Sequence, residues 1–548
     1  MAAQTHEGFP ANGEIEGYWD WDKIHAPRPL TPLAGDAVVM AMGEGFTIAQ
    51  HDFGTPLALK CRMINSYFYS SFAPDYTGIT ETQEQLQARY DRMLSTDAMR
   101  IGERSVNEWE PSLIPLLDKA RNTDYSTLSD DELLKALDEQ LANLVYYWTI
   151  HGWINLVLVP SNALTDFYNA EFNPQDPTEA YELMQGYRTK SVEAARGLWR
   201  LSRIVKASAT LSQVFQSSDP RAIETALGFS REGEAFFAEL RPFLDEFGWR
   251  SDGIYEIGEA TWRENLAIPL NTIQGYLALD EDNDPEAVFQ RAVKRREDLV
   301  NTAKARLAGQ PDKLARFDEL LAASRYNLQV TEDHSYWIDQ MGIAAFRRFA
   351  LQFGDRLVEK GVIESRDDVF FLYKTDLRDA LTRGTDLKPA ITARRADIEK
   401  WAQVVPPDHL GEPTPVLDDP FFVSLVDKML GLLPVEPSTD ADVINGVAAS
   451  PGVYTGTAKV VRTLVEASKL QQGDIMVCEM TLPTWVPLFA TVNAVVADSG
   501  GVLSHCAIVA REFHLPAVVG TRVGTTAIKD GMRITVDGSK GRVRIEAR

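Results

Sequence analysis

The stretch Asp498–Gly520, DSGGVLSHCAIVAREFHLPAVVG, holds residues whose types and order suit the covalent handling of a phosphoryl group. A histidine bonds phosphorus through a ring nitrogen, so its imidazole must be neutral and open to attack. His505 sits where a helix begins. There the free N–H groups and the positive end of the helix dipole favour a phosphate and disfavour imidazolium. Gly500 and Gly501 allow a tight turn and close backbone approach just before it. Ser504 can cap the helix or donate to a phosphate oxygen. Asp498 is placed to brace the Gly-Gly turn with its side chain. Cys506 reads as a small packing residue and His514 as structural or exposed.

The elements around this string are those of a small α/β domain. Short β-rich runs (TAKVVR, DIMVCEM, AVVAD, AVVG, RITVDG, RVRIE) alternate with short helical ones between Gly and Asp. They predict a domain over residues 446–548, behind a Pro/Ser/Asp-rich linker at 431–445. Residues 1–430 predict a mostly α-helical domain with apolar spacing of three and four from about residue 80. Its first 54 residues, rich in Gly, Pro and aromatics, read as loops and short turns. DDELLKALDEQLANLVYYWTIHGWINLVLV predicts a long helix with Asp130 and Asp131 at its N-cap and first turn. Residues 312–361 predict one or two long helices ending at Gly361. The fold class expected is therefore α+β and multidomain.

Composition narrows the partners. The 548 residues carry a net charge of −24, which disfavours nucleic acid and anionic lipid. Of the totals, 55 basic and 79 acidic, residues 440–548 hold 11 and 10, leaving 44 and 69 in residues 1–439. The acid thus belongs to the front of the chain and reads as a solvated surface. No apolar run reaches membrane-spanning length and the N-terminus lacks a secretory pattern. Three scattered cysteines fit a reducing compartment, so a cytoplasmic location is expected.

The string from Asp498 to Gly520 resembles the phosphohistidine motif of the PEP-utilising enzymes, roughly G-G-x-[TL]-S-H-[AC]-A-I-[VL]-A-R-E-x-x-[IL]-P-A-V-V-G. The resemblance extends from about 445 to 541. It implies a swivelling (β/β/α) domain phosphorylated on His505. Looser strings in the front part, WDWDKIHAPRPLTPL, FGWRSDGIYEIGEATWRENL, EDHSYWIDQ and DDVFFLYKTDL, are similar to the acceptor-binding parts of rifampicin phosphotransferase and phenylphosphate synthase. They also resemble subunits that phosphorylate hydroxyphenyl ketones such as 4-hydroxyacetophenone and acetovanillone. The ATP-grasp domain and PEP-binding barrel of the larger members have no counterpart in these strings, and no Walker-type loop occurs. The layout therefore predicts a dikinase-type phosphotransferase subunit loaded by a separate ATP-grasp subunit using Mg2+ and ATP. No metal of its own is expected.

A small phenol is the expected acceptor, with an antibiotic alcohol as the first alternative and a phosphocarrier without small-molecule acceptor as the second. Tyr18, Trp19, Trp21, Tyr146, Tyr147, Trp148, Trp153, Tyr336 and Trp337 can wall a flat pocket, or pack as ordinary core. A phenol ionises near pH 10 and needs a base at neutral pH. His25, His151 and His334 are the candidates, each with a core or surface role as the alternative. Lys23, Arg28, Arg250 and Arg263 can offset phosphoryl charge, or form surface ion pairs.

Overall fold

The computed structural model describes residues 8–11, 14–217, 219–412 and 435–547. Residues 431–434 of the expected linker lie outside them. Helix makes up 59% of the structure, beside two sheets, in line with the α+β expectation. The chain forms two compact units. The first gathers the described parts of Met1–Leu156, Gly253–Ala260 and Trp337–Pro420, and the second those of Val157–Asp252, Thr261–Tyr336 and Phe421–Arg548. Among the described residues, no helix is long and apolar enough to cross a membrane.

In the first unit, strands β1 (Tyr18–Trp21), β2 (Leu57–Ile64), β3 (Tyr67–Pro74) and β4 (His409–Gly411) form an antiparallel sheet in the order β2-β3-β1-β4. The β2–β3 turn is only two residues long. Asn65 and Ser66 both take positive φ, 53° and 64°, which matches the right-handed strand twist.

The expectation of loops over residues 1–54 is corrected here. Residues 34–52 are helical, a π-type stretch Ala34–Val39 running into the α-helix Met40–Asp52. Its glycines are not breakers; they permit contact. A Cβ on Gly45 would lie 2.6 Å from Thr149 N and 2.7 Å from Val145 O, on the helix Asp130–Ile154. One on Gly152 of that helix would lie 2.6 Å from Ala49 Cβ. The Asp130–Ile154 helix is capped by Ser129, whose Oγ accepts from Glu132 N while Glu132 accepts from Ser129 N. Asp130 and Asp131 occupy its first turn rather than the cap.

The second unit stacks helices that include Leu158–Phe172, Lys190–Ala207, Arg231–Phe247, Ala267–Leu277, Pro285–Leu307, Pro311–Ser324 and Asn327–His334. The long helical run expected over 312–361 is therefore broken. It stops at Ser324, restarts at Asn327, turns π-helical over Ser335–Gly342 and continues as Ile343–Glu359. Gly361, with φ 72°, follows it. The passage from second to first unit falls within this π-type stretch, after Tyr336.

The same unit carries an eight-stranded sheet in the order β5-β12-β11-β7-β8-β9-β10-β6. Its strands are β5 (Val443–Asn445), β6 (Val447–Ser450), β7 (Val453–Val460), β8 (Ile475–Cys478), β9 (Ala494–Ala497), β10 (Ala517–Val519), β11 (Arg533–Asp537) and β12 (Arg542–Ala547). Strands β7, β8, β9 and β10 run parallel. β8, β9 and β10 are buried at every position, which is why they read as unbroken apolar runs rather than alternating ones. One face packs Val460, Ile475, Val496 and Val518 with Ile534 and Val536. The other packs Met476, Cys478, Val495 and Ala497 against Cys506, Ala507, Val509 and Ala510 of the helix His505–Phe513.

The helix contact in the first unit yields a test. Gly45→Ala gains helix propensity but drives a methyl into backbone, so a net loss of about 1–3 kcal/mol is expected. A urea melt that shows an unchanged or raised midpoint would contradict this packing.

Candidate active site

His505 is the first residue of the helix that crosses from β9 to the parallel strand β10. It therefore lies beyond the carboxyl end of a central parallel strand, where open α/β sheets place their chemistry. Gly500 takes φ 105°, and a Cβ there would come within 2.7 Å of Ser504 Oγ. The turn thus needs glycine on both conformational and steric grounds. Ser504 N donates to Gly501 O at 3.1 Å. Ser504 is the N-cap, its Oγ accepting from Ala507 N at 3.4 Å.

Asp498 does not brace the glycine turn, as the sequence suggested. Its Oδ1 accepts from Thr521 Oγ1 at 2.8 Å and from Thr525 N at 3.2 Å, tying β9 to the segment after β10. Cys506 is 3% exposed, and burial pushes its thiol up to about 12; it packs. His514 is exposed and ends the helix in the left-handed conformation, φ 55°.

The partner of His505 is Glu332. His505 Nδ1 lies 2.9 Å from Glu332 Oε2 and 3.1 Å from Oε1, with the two side chains 14% and 4% exposed. An ionised carboxylate only accepts hydrogen bonds, so the shared proton belongs to Nδ1 and the lone pair to Nε2. Nε2 is buried and has no hydrogen-bond partner among the described residues. The contact at Nδ1 thus sets which ring nitrogen keeps the lone pair.

Sequence reasoning missed Glu332, although it opens the EDHSYWIDQ string two residues before His334. The available signal was a glutamate among buried positions of a short helix, since such a group needs a partner. Beside it Asp333, 4% exposed, accepts from Lys190 N at 2.6 Å.

Arg250 is 1% exposed. Its guanidinium lies 5.5 Å from the Tyr336 ring and 5.8 Å from those of Phe247 and Trp262. Nη2 donates to Lys190 O at 3.1 Å. Burial pulls its pKa down to about 10, while Tyr336, Asp333 and Glu332 pull it back up. It remains a cation at neutral pH, coupled to the carboxylate that holds His505. Asp252 joins the sheet domain to the same helical layer, accepting from Trp485 Nε1 at 3.3 Å and from Leu464 N at 3.2 Å.

Two of the three candidate bases come together in the first unit. His25 Nδ1 is 2.9 Å from Asp22 Oδ1, and its ring lies 5.9 Å from that of Tyr255. His151 Nδ1 is 3.2 Å from Asp339 Oδ1, its ring stacked 5.0 Å from Trp148. Trp148 in turn lies 5.7 Å from Tyr255 and 6.3 Å from Phe46. Burial alone would lower His25, but Asp22 overrides it and the net shift is upward. Burial would raise Asp22, yet the His25 charge and hydrogen bonds leave it lowered. Asp22, Asp339 and Tyr255 were not singled out in the sequence: Asp22 lies only three residues before His25, whereas Asp339 and Tyr255 reach their partners across distant segments and leave no spacing to read.

His334 belongs to the second unit, its Nδ1 3.1 Å from Val330 O of its own helix. Lys23 pairs with Asp408 at 3.1 Å and is 48% exposed. Arg28 is exposed on the loop after β1. Arg263 pairs with Asp245 at 3.1 Å and covers Trp249 at 4.9 Å. Lys23 and Arg28 belong to the first unit and Arg263 to the second. Trp337 is half-buried at the start of the Trp337–Pro420 segment.

Comparison with known proteins agrees with this geometry. Residues 149–332 match the family described as rifampicin phosphotransferase fourth domain. Residues 470–541 match the PEP-utilising enzyme mobile domain. The chain is similar to chondramide synthase cmdD of Chondromyces crocatus, 31% identical over 96% of this chain and 14% of that protein. It is also similar to the uncharacterized phosphotransferase YvkC of Bacillus subtilis, 29% identical over 100% of this chain and 64% of the relative. Rifampicin phosphotransferase of Bacillus cereus is 28% identical over 57% of this chain and 35% of its own length. The chain thus spans less than two thirds of each of these relatives. His505, at the start of a buried helix, thus lies in the part that is similar to the PEP-utilising enzyme mobile domain, and Glu332 is the last residue of the part that is similar to the rifampicin phosphotransferase fourth domain.

Proposed function

We propose that the chain carries a phosphoryl group on His505 Nε2 and transfers it to the hydroxyl of a small molecule. The single observation that carries this reading is the His505 ring, held at Nδ1 by buried Glu332 and left with an unpartnered Nε2. In the first half-reaction the Nε2 lone pair attacks phosphorus, an N–P bond forms and the P–O bond to the leaving phosphate breaks. The ring then bears positive charge, which Glu332 balances through the Nδ1 proton. In the second half-reaction an acceptor oxygen attacks phosphorus and the N–P bond breaks. Retention of the Nδ1 proton makes imidazole the better leaving group. Arg250 offsets negative charge on the phosphoryl oxygens.

The phosphoryl donor in this reading is Mg-ATP bound on an ATP-grasp polypeptide. About a third of YvkC lies outside its match to this chain, which leaves room for a further part of the machinery. The acceptor is a phenol, taken up by the aromatic cluster of the first unit, with His25 receiving the hydroxyl proton. Trp148, Tyr255 and Phe46 offer flat apolar faces beside two His–Asp pairs. An antibiotic alcohol is the second reading, favoured by the match of residues 149–332.

Four outcomes test this reading. In 15N NMR spectra the His505 ring is expected as the Nδ1–H tautomer in wild type, relaxing toward Nε2–H in Glu332→Ala; an Nε2–H wild type would sink the positioning role. With labelled ATP and an ATP-grasp companion, acid-labile phosphate should form on wild type and vanish in His505→Ala. Glu332→Ala should slow transfer by roughly 10²-fold or more, as a misdirected tautomer does in other histidine sites. Label persisting without His505 removes it from the mechanism. Finally, His25 must be unprotonated to act as base, and its pKa is raised above its ordinary 6.5. Transfer to 4-hydroxyacetophenone should therefore climb with pH above that value, and His25→Gln should flatten the limb. A profile identical in both proteins excludes His25.

A further inference from the structure

Arg511 stands in the last turn of the helix that His505 begins, and the phosphotransfer reading gives it no part. It is 3% exposed. Its acidic neighbours Glu512, Asp176 and Glu182 act on it from beyond hydrogen-bond distance. Burial pulls its pKa down to about 10, so it is a cation at neutral pH. Burying a cation without a carboxylate beside it is costly. What offsets that cost is the set of groups it holds.

The guanidinium joins two distant places. Nη2 donates to Val502 O at 2.8 Å, nine residues back and in the turn just before His505. Side chains on a helix lean toward its N-terminus, which lets Arg511 run along the helix to that turn. Nη1 donates to Ala449 O at 2.7 Å. Ala449 is the residue that the pairing of β6 with β10 skips: Ala517 faces Ser450, and Val518 faces Ala448. A bulge leaves its extra residue outside the ladder, and Arg511 takes up the carbonyl left over. On a third side the guanidinium carbon lies 4.7 Å from the centre of the Tyr181 ring, in the short helical segment Pro177–Met184.

The Ser504 cap by itself is a loose hold on the helix start. Its Oγ is 3.4 Å from Ala507 N, at the weak end of such bonds. Yet the His505 ring has to stand within hydrogen-bond distance of Glu332 for the carboxylate to choose the protonated nitrogen. We propose that Arg511 is a positioning residue for His505. By tying the Val502 carbonyl to the Ala449 bulge and to Tyr181, it fixes the turn, and with it the ring, opposite Glu332. The proposal rests on the carrier reading of His505. Lysine at this place would keep the charge but could not span two carbonyls and an aromatic ring together.

The His505 tautomer, read by 15N NMR on the full chain with folding checked by circular dichroism, is the test. Glu332 stays intact throughout. In Arg511→Lys the ratio of Nδ1–H to Nε2–H rings is expected to fall roughly tenfold, the worth of one hydrogen bond from a charged donor. A folded Arg511→Lys protein with the wild-type ratio overturns the proposal, because a brace that served stability alone would leave the ring proton where it was. Tyr181→Leu removes only the ring beside the guanidinium and takes over the test if Arg511→Lys does not fold. Its ratio should fall in the same direction, and a wild-type ratio there overturns the proposal equally. An Nε2–H ring in wild type would remove the carrier reading and this role with it. An Nδ1–H wild type with unchanged variants removes Arg511 alone, so the two failures are distinguishable.

Discussion

A single hydrogen bond, from His505 Nδ1 to a carboxylate 173 residues earlier in the chain, decides what the motif can do. An imidazole in water exchanges its proton between two nitrogens, and only one of them faces a reacting group at a time. Glu332 removes that ambiguity by accepting from one side, which fixes the ring and its lone pair together. The buried carboxylate would be costly alone. Its partnership with His505, with the Arg250 charge acting on it as well, makes its burial tolerable.

The rest of the second unit can be understood as the support this contact demands. Parallel strands buried on both faces give a rigid floor, and the Gly500 turn lets the chain reverse sharply enough to start a helix at His505. Asp498 and Asp252 work at a distance from the ring. The first clamps Thr521 and Thr525 behind the site, and the second ties Trp485 and Leu464 to the helical layer. Precision at the ring nitrogen therefore rests on polar anchors that make no contact with it.

The first unit solves a different problem. Its two His–Asp pairs lie among aromatic rings, and at His25 burial pushes toward neutrality while Asp22 pushes toward charge. For His25 the carboxylate wins. Such a group titrates above the ordinary histidine range. The glycines that let the Met40–Asp52 and Asp130–Ile154 helices touch bring Phe46 and Trp148 into the same cluster.

The sequence alone was enough to determine the mobile domain, because its information is local. Strands buried on both faces read as apolar runs, and a glycine turn, a capping serine and a helix start are encoded within a dozen residues around His505. The helical class of the front part was legible for the same reason. What needed the tertiary structure was every pairing across the chain: Glu332 with His505, Asp339 with His151, Asp22 with Tyr255, and the glycines of residues 34–52 as contact points rather than breakers. A carboxylate has no signature of its own in one sequence; its role depends on which group burial leaves opposite it, and only folding sets that.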